Sequence, residues 1–261
     1  MTAQAMAAEY INVRNIRIWV AHGGEGQPLL YLPGAAPEFD DPALSLISQD
    51  FHVYRPHHPG FGRSDEDPAV DSVVDLAFRY LDLLDALGLD RVHVAGLSLG
   101  GWIAAQIAVL APERVAKLVL VCPAGLRPPV PVPDMFTMDV VELAMLVHHE
   151  PQVRKEAVAN MCDLAGDTER FTRYLRSRAA TAHLGWNPYL HDPKLAGRLH
   201  RVRSEVLLVW GAHDQLLPPE CALAWQQALP RSRVELIEEA GHRPQAEQPA
   251  AFAALMRDFL T

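Results

Sequence analysis

The sequence has few cysteines, an excess of negative charge and no long apolar run, and each feature excludes a class of protein. Cys122, Cys162 and Cys221 stand far apart, which excludes a disulfide framework and a paired cysteine metal motif. Lysine and arginine number 23 against 32 acidic residues, and the formal charge of -9 excludes a nucleic acid partner, since phosphate binding needs clustered positive charge. No apolar run is long enough for a membrane span, and the first ten residues lack the regions of a signal peptide. We therefore expect a cytoplasmic protein.

Short apolar runs alternate with segments of helical period along most of the 261 residues. Strands are predicted at residues 16–21, which pair with 11–13, and at 29–32, 51–54, 92–95, 118–121, 206–210 and 234–237. Helices are predicted at residues 71–87, 99–110 and 249–260. Near-continuous apolar strands are typical of a parallel sheet that is covered on both faces. The alternation therefore predicts an α/β doubly wound domain with right-handed crossovers.

The alternation stops between residues 125 and 203. The segment RPPVPVP at residues 127–133 cannot be helical and predicts an extended exit from the sheet. Helical segments are predicted after it, at residues 134–149, 153–164, 168–180 and 193–202. We interpret residues 126–203 as a helical cap over a core made of residues 1–125 and 204–261. The alternative is a second independent domain, which the small size of the insertion disfavours.

A serine between two glycines lies where a predicted strand meets a predicted buried helix. The segment is GLSLG at residues 96–100, with Ser98 at its centre. A sharp turn from strand to helix needs small residues two positions to either side, and Gly96 and Gly100 meet that need. The turn would raise the Ser98 hydroxyl above the sheet at a helix N-terminus, where free N–H groups favour developing negative charge. This pattern predicts a nucleophilic serine.

A nucleophilic serine needs a base and a carboxylate that orients the base. His242 follows the last predicted strand and Asp214 follows the strand before it, so both are expected at the same sheet edge as Ser98. Asp134 and Asp139 remain alternative acids. The histidine pairs at residues 57–58 and 148–149 lack a spaced acidic or cysteine partner, so no metal site is predicted there.

An oxyanion hole is predicted from the segment LPGAA at residues 32–36, which leaves an early strand on the same edge. Proline and glycine bend this backbone, so the N–H of Ala35 can point into the site. Together with the N–H of Leu99 it would supply two donors for a developing oxyanion.

In its motifs and their order, the chain resembles the α/β-hydrolase superfamily over nearly its whole length. Ser98, Asp214 and His242 follow the superfamily's chain order, RPHHPGFGRSD at residues 55–65 resembles its loop after the fourth strand, and PERV at 112–115 resembles its turn before the sixth. The resemblance implies an eight-stranded, mostly parallel sheet flanked by helices, with the cap inserted after the sixth strand. The usual His-Gly of the oxyanion motif is absent because Pro33 replaces the histidine.

The resemblance implies a serine hydrolase that needs no cofactor or metal, and we expect a carboxylesterase that acts on small to medium hydrophobic esters. Alternatives are a lactonase and a carbon–carbon bond hydrolase of ring-cleavage products. The latter usually has a tryptophan just after the catalytic histidine, whereas here Arg243, Pro244 and Gln245 follow His242. A non-catalytic binding protein on the same fold is a remote further alternative.

Apolar residues of the predicted cap are candidates for the substrate pocket. They suggest a hydrophobic acyl or alcohol group, although each of them could instead pack the cap onto the sheet. The candidates are Met135, Phe136, Met138, Met145 and Trp186. The partner is expected to be a small hydrophobic molecule, and the sequence leaves open whether the protein is a monomer or a homodimer.

Overall fold

An eight-stranded sheet runs through the part of the chain that the computed structural model describes, residues 6–37, 39, 41–229 and 231–261. The order of its strands is β1-β2-β4-β3-β5-β6-β7-β8. The first strand pairs antiparallel with the second, and the second with the fourth, whereas every other pairing is parallel. The strands are β1 Ala7–Val13, β2 Ile16–Gly23, β3 Gln27–Leu32, β4 Phe51–Pro56, β5 Val92–Leu97, β6 Val115–Val121, β7 Glu205–Gly211 and β8 Ser232–Ile237. The predicted sheet is therefore confirmed.

The central strands are buried along nearly their whole length because helices cover the sheet. The helices are α1 Ala43–Ile47, α2 Val73–Ala86, α3 Leu99–Leu110, α4 Val140–Val147, α5 Pro151–Gly166, α6 Thr168–Gly185, α7 Cys221–Ala228, α8 Pro244–Glu247 and α9 Pro249–Leu260. In α3 every residue except the last is buried, as its almost wholly apolar sequence predicts. Helix α2 packs against α3, and α1 packs against α9.

Three helices, α4, α5 and α6, lie between β6 and β7 and form what we call the helical insertion. The structure differs from the sequence prediction for this region in three places. Helix α6 runs on to Gly185 and does not end at residue 180. Helix α4 begins at Val140 and not at residue 134, because Asp139 caps it and exchanges hydrogen bonds with Glu142 in a capping box. Of the helical segment predicted at residues 193–202, residues 196–201 are helical, and they form a 3₁₀ helix. The division into a core and a separate cap at residues 126–203 stays a prediction.

No helix in the described ranges is long and apolar enough to cross a bilayer. Cys122 and Cys221 are buried free thiols, and the side chain of Cys162 lies outside the described residues.

The register of the parallel strands sets the position of the loops that follow them. Leu32 pairs with Gly96, Leu97 pairs with Val121, and Gly211 pairs with Ile237. The loops after β3, β5, β7 and β8 therefore meet along the carboxyl edge of one sheet, which is where ligands bind in open α/β sheets.

Buried histidines near this sheet are held in the neutral form. Burial lowers the pKa of His58 to about 4, and burial with the nearby Lys117 and Arg91 charges lowers the pKa of His93 to about 4. An unfolded histidine takes up a proton near pH 6.5. As the pH falls below that value the unfolded chain binds more protons than the folded one, so acid favours unfolding.

We therefore expect the free energy of unfolding to fall as the pH is lowered from 8 to 5. The fully buried His58 alone accounts for about 2 kcal/mol of that loss. Urea unfolding followed by circular dichroism at the two pH values measures it. His93→Gln should flatten the pH dependence, whereas His200→Gln, which changes an exposed histidine, should not. A protein equally stable at pH 8 and pH 5 would contradict this expectation.

Candidate active site

Ser98 stands at a sharp turn between β5 and α3, with a φ of 54° and a ψ of -114°. This left-handed backbone costs a non-glycine residue about 1–3 kcal/mol, so the surroundings must enforce it. A Cβ on Gly96 would lie 2.2 Å from the carbonyl oxygen of Gly100, and a Cβ on Gly100 would lie 2.2 Å from that of Leu32. Neither position has room for a side chain. The two glycines therefore permit the turn that presents Ser98.

Asp214 and His242 are paired at the same sheet edge. The Nδ1 atom of His242 lies 2.7 Å from Oδ2 of Asp214, and both residues are buried. The other carboxylate oxygen of Asp214 accepts hydrogen bonds of 2.9 Å from the N–H groups of Leu216 and Leu217. With Nδ1–H donating to this fixed carboxylate, Nε2 of His242 is left as the proton acceptor. His242 and Ser98 line the same cavity, as a base and its nucleophile must.

Cys122 lies behind this pair and was missed by sequence reasoning. Its Sγ, a carboxylate oxygen of Asp214 and a ring nitrogen of His242 all lie within 4.8 Å of one another. Burial, and next the Asp214 charge, raise the pKa of the Cys122 thiol well above its usual value. A protonated thiol is a poor metal ligand, and Nδ1 of His242 is already paired with Asp214. These three residues are therefore poorly suited to hold a metal ion.

The loop after β3 lies against the nucleophile turn. A Cβ on Gly34 would be 3.6 Å from the Cβ of Ser98. Within the described residues, the backbone N–H groups of Ala35 and Leu99 donate to no acceptor. Both are therefore available for an oxyanion formed at Ser98, although their role in catalysis stays a prediction.

His58 holds the loop after β3 in place and is itself held by Tyr80. Its Nε2 lies 2.9 Å from the carbonyl oxygen of Pro33, and its Nδ1 contacts the hydroxyl of Tyr80. Because burial keeps the ring neutral, only one ring nitrogen carries a proton. Nε2–H donates to Pro33, and the Tyr80 hydroxyl donates to Nδ1. The RPHHPGFG segment marked His58 in the sequence, but nothing there indicated Tyr80 as its partner.

Glu247 joins the helical insertion to the loop that carries His242. Its buried carboxylate accepts hydrogen bonds from the N–H groups of Gly241, His149 and Glu150 at 2.8, 2.7 and 2.9 Å. The N–H of His242 itself donates to the carbonyl oxygen of Val147 at 2.7 Å. The backbone position of His242 therefore depends on the end of α4.

A cavity of about 420 Å³ opens above Ser98, between the sheet edge and the insertion. One wall is an apolar stripe of α4 at helical spacing, made of Val140, Leu143, Ala144 and Val147. Polar side chains of α5 and α6 that are exposed to solvent also line the cavity: Glu156, Asn160 and Arg170. The cavity thus offers both an apolar surface and exposed polar groups to one ligand.

Of the five pocket residues predicted from the sequence, only Met135 lines this cavity. Met145 is 47% exposed because it lies on the face of α4 away from the apolar stripe. Phe136 and Trp186 stack on each other at 5.4 Å between ring centroids, and Trp186 is 59% exposed. Met138 is half-buried beside α4 and does not reach the cavity either. The spacing of residues 140, 143, 144 and 147 was the signal that would have identified the true lining.

Comparison with known proteins gives one family and two kinds of relative. A family model described as alpha/beta hydrolase fold matches residues 20–249. The chain is 28% identical to 2-hydroxy-6-oxononadienedioate/2-hydroxy-6-oxononatrienedioate hydrolase 1 of Pseudomonas putida, with 91% of this chain and 90% of that protein covered. It is 29% identical to the dihydrolipoyllysine-residue acetyltransferase component of the acetoin cleaving system of Cupriavidus necator, with 98% and 70% covered.

Solved structures show the same fold. The 2-hydroxy-6-oxo-6-phenylhexa-2,4-dienoate hydrolase of Rhodococcus sp. strain RHA1 superposes with a TM-score of 0.80 at 21% identity, covering 97% of this chain and 98% of that one. A bacterial membrane phospholipase A superposes with a TM-score of 0.77 at 24% identity, covering 98% and 86%.

Gly100→Ala should break the nucleophile turn. The new Cβ would collide with the carbonyl oxygens of Leu32 and Pro33 at 2.2 and 2.4 Å, so the loop and the turn must separate. We expect a loss of about 3 kcal/mol or more in unfolding free energy and no labelling of Ser98 by a fluorophosphonate probe. Gly197→Ala is the control, because a Cβ there meets nothing within 4 Å. Normal stability and labelling of Gly100→Ala would contradict the described packing.

Proposed function

The chain belongs to the α/β-hydrolase fold family, and from that premise we propose that it is a serine hydrolase that cleaves a carbon–carbon bond in a ring-cleavage product bearing a carboxylate. The proposal rests mainly on one observation, the Asp214–His242 pair of 2.7 Å on the same cavity as Ser98. The names of the Pseudomonas relative and the Rhodococcus structure favour this substrate class over the ester expected from the sequence.

The reaction starts with proton transfer from Ser98 to Nε2 of His242 as the serine oxygen adds to a ketone carbon. The imidazolium that forms is stabilised by the Asp214 carboxylate. The oxyanion accepts hydrogen bonds from the N–H groups of Ala35 and Leu99. Losing one such donor commonly costs about 3 kcal/mol of transition-state stabilisation.

Breakdown of this tetrahedral species breaks the carbon–carbon bond and leaves an acyl group on Ser98. The departing carbon takes the electron pair, which is favourable once the 2-hydroxy dienoate has tautomerised to its 2-oxo form, because the pair then delocalises as a dienolate. His242 returns its proton to that fragment. A water molecule, deprotonated by the same histidine, then releases the acid from Ser98.

Arg170 is the group that we propose for the substrate carboxylate. It lines the cavity from α6, and its guanidinium forms no hydrogen bond or ion pair with any described residue. A charge-assisted pair with a carboxylate would satisfy it. The apolar stripe of α4 would contact the hydrocarbon part of the same molecule.

A carboxylesterase is the second candidate. The α4 stripe suits an acyl chain, and Arg243 follows His242 where the superfamily resemblance implies a tryptophan in carbon–carbon hydrolases. Ser98, His242 and the two N–H donors would act in the same roles on an ester.

Turnover of two substrates separates the candidates. One is a 2-hydroxy-6-oxo-dienoate, whose turnover is measured as loss of its absorbance, and the other is a p-nitrophenyl ester. We expect the purified protein to have a higher kcat/KM for the dienoate than for the ester. Ser98→Ala should lower turnover of both by at least about 10³-fold. If only the ester is turned over, the carboxylesterase candidate is correct. If Ser98→Ala retains normal turnover, neither is.

Arg170→Gln tests the carboxylate contact separately. KM for the dienoate should rise about 10-fold, the equivalent of about 1.4 kcal/mol, with little change for the uncharged ester. Lys155→Gln is the matched control, since it also removes a positive charge from the insertion but does not line the cavity. An equal change in KM for both substrates would argue against Arg170 as the carboxylate site.

A further inference from the structure

Two histidines and a glutamate meet on the surface beside the catalytic loops without lining the cavity. His149 lies between α4 and α5, His213 directly precedes Asp214, and Glu239 follows β8. One ligand atom from each of the three residues lies within 4.8 Å of the other two. Three separate segments of chain therefore bring nitrogen and oxygen ligands to one point.

The distances suit a small transition metal ion. Nε2 of His149 lies 3.3 Å from Oε2 of Glu239. In a tetrahedral zinc site with bonds of about 2.0–2.1 Å, neighbouring ligand atoms are also about 3.3 Å apart. The rings of His149 and His213 lie face to face with centroids 3.8 Å apart and planes 11° apart. Stacked rings cannot both point a nitrogen lone pair at one ion, so binding requires the exposed His213 side chain to leave the stack and turn its nitrogen toward the other two ligands.

The chemistry of the three ligands selects the ion. Two imidazoles and one carboxylate are ligands that zinc accepts, whereas magnesium and calcium prefer oxygen ligands alone. Among the described residues, no lysine or arginine forms an ion pair with Glu239, whose carboxylate faces the ring of His149. Its carboxylate is thus not neutralised by a fixed cation.

We propose that His149, His213 and Glu239 bind one Zn²⁺ ion, with the fourth position open to solvent. His149 belongs to the insertion, and the other two ligands lie on the loops that carry Asp214 and His242. The ion therefore fastens the insertion to the catalytic loops, at a point close to the Glu247 hydrogen bonds. This proposal does not depend on which bond the enzyme cleaves.

A second histidine–glutamate pair provides a matched control. Nε2 of His22 lies 3.1 Å from Oε1 of Glu9, and the two side chains are 27% and 58% exposed. The His149–Glu239 pair is 27% and 63% exposed. His22 also stacks on the ring of His52, with 5.7 Å between the ring centroids. Among the described residues, no third ligand atom joins the His22–Glu9 pair. His22→Ala thus removes an equivalent exposed ion pair without touching the proposed site.

The test is a calorimetric titration of the full-length protein with zinc chloride, after removal of any affinity tag and of metal by chelation. We expect one saturable site per chain and a higher thermal midpoint in zinc, since an ion that binds only the folded chain stabilises it. Amide hydrogen exchange of residues 148–154 should slow when zinc is added. His149→Ala, His213→Ala and Glu239→Gln should each weaken binding at least 10-fold, whereas His22→Ala should bind as the unsubstituted protein does.

Three results would overturn the proposal. One is no saturable zinc binding by the unsubstituted protein, and another is binding no tighter than that of a His149→Ala/His213→Ala double variant. The third is unchanged affinity in Glu239→Gln, which keeps the size of the exposed side chain and therefore the fold. Fluorophosphonate labelling of Ser98 in every variant checks that the protein is folded. If an alanine variant fails this check, the zinc affinity of Glu239→Gln decides.

Discussion

The close approach of three backbone segments at Ser98 is the constraint on which the site depends. Gly96 and Gly100 have no room for a Cβ, because the carbonyls of Gly100 and Leu32 occupy that space. This packing holds Ser98 at a positive φ and starts α3 with a free N–H at Leu99. It also holds the loop after β3 beside the serine. The strained backbone of Ser98 and the positions of both oxyanion donors thus follow from the packing of the Ser98 turn against the loop after β3. The buried core on either side stabilises this packing.

The helical insertion is part of the same arrangement. Glu247 and the carbonyl oxygen of Val147 hold the end of α4 to the backbone around His242, and α4 supplies the apolar wall of the cavity. A shift of α4 would therefore move the base and the pocket wall together. The zinc site that we propose lies at this junction, where the ion would add a further link between the two segments. Hydrolases of this fold can in this way change substrate through the insertion while the sheet keeps the chemistry in place.

Local patterns in the sequence predicted the strands and the turn at Ser98, because strand period and the two glycines are local signals. Asp214 and His242 were selected from their places after successive strands and from the superfamily's chain order, which are not local signals. The pocket was predicted poorly because apolar composition does not say which face of a helix is buried. Met145 is as apolar as Leu143, yet only Leu143 faces the cavity. Contacts such as Tyr80 with His58, Cys122 with Asp214 and Glu247 with the insertion join residues far apart in sequence. No local pattern marks them, since they exist only after the sheet has formed.

We expect Ser98 to react where the N–H groups of both Ala35 and Leu99 can donate to the developing oxyanion. A crystal structure of the protein after reaction with a fluorophosphonate would show whether it does. We predict phosphorus bonded to Oγ of Ser98, with one phosphoryl oxygen within about 2.7–3.1 Å of both backbone nitrogens. Phosphorus on another residue, or a phosphoryl oxygen that faces away from both N–H groups, would contradict these roles of Ser98, Ala35 and Leu99.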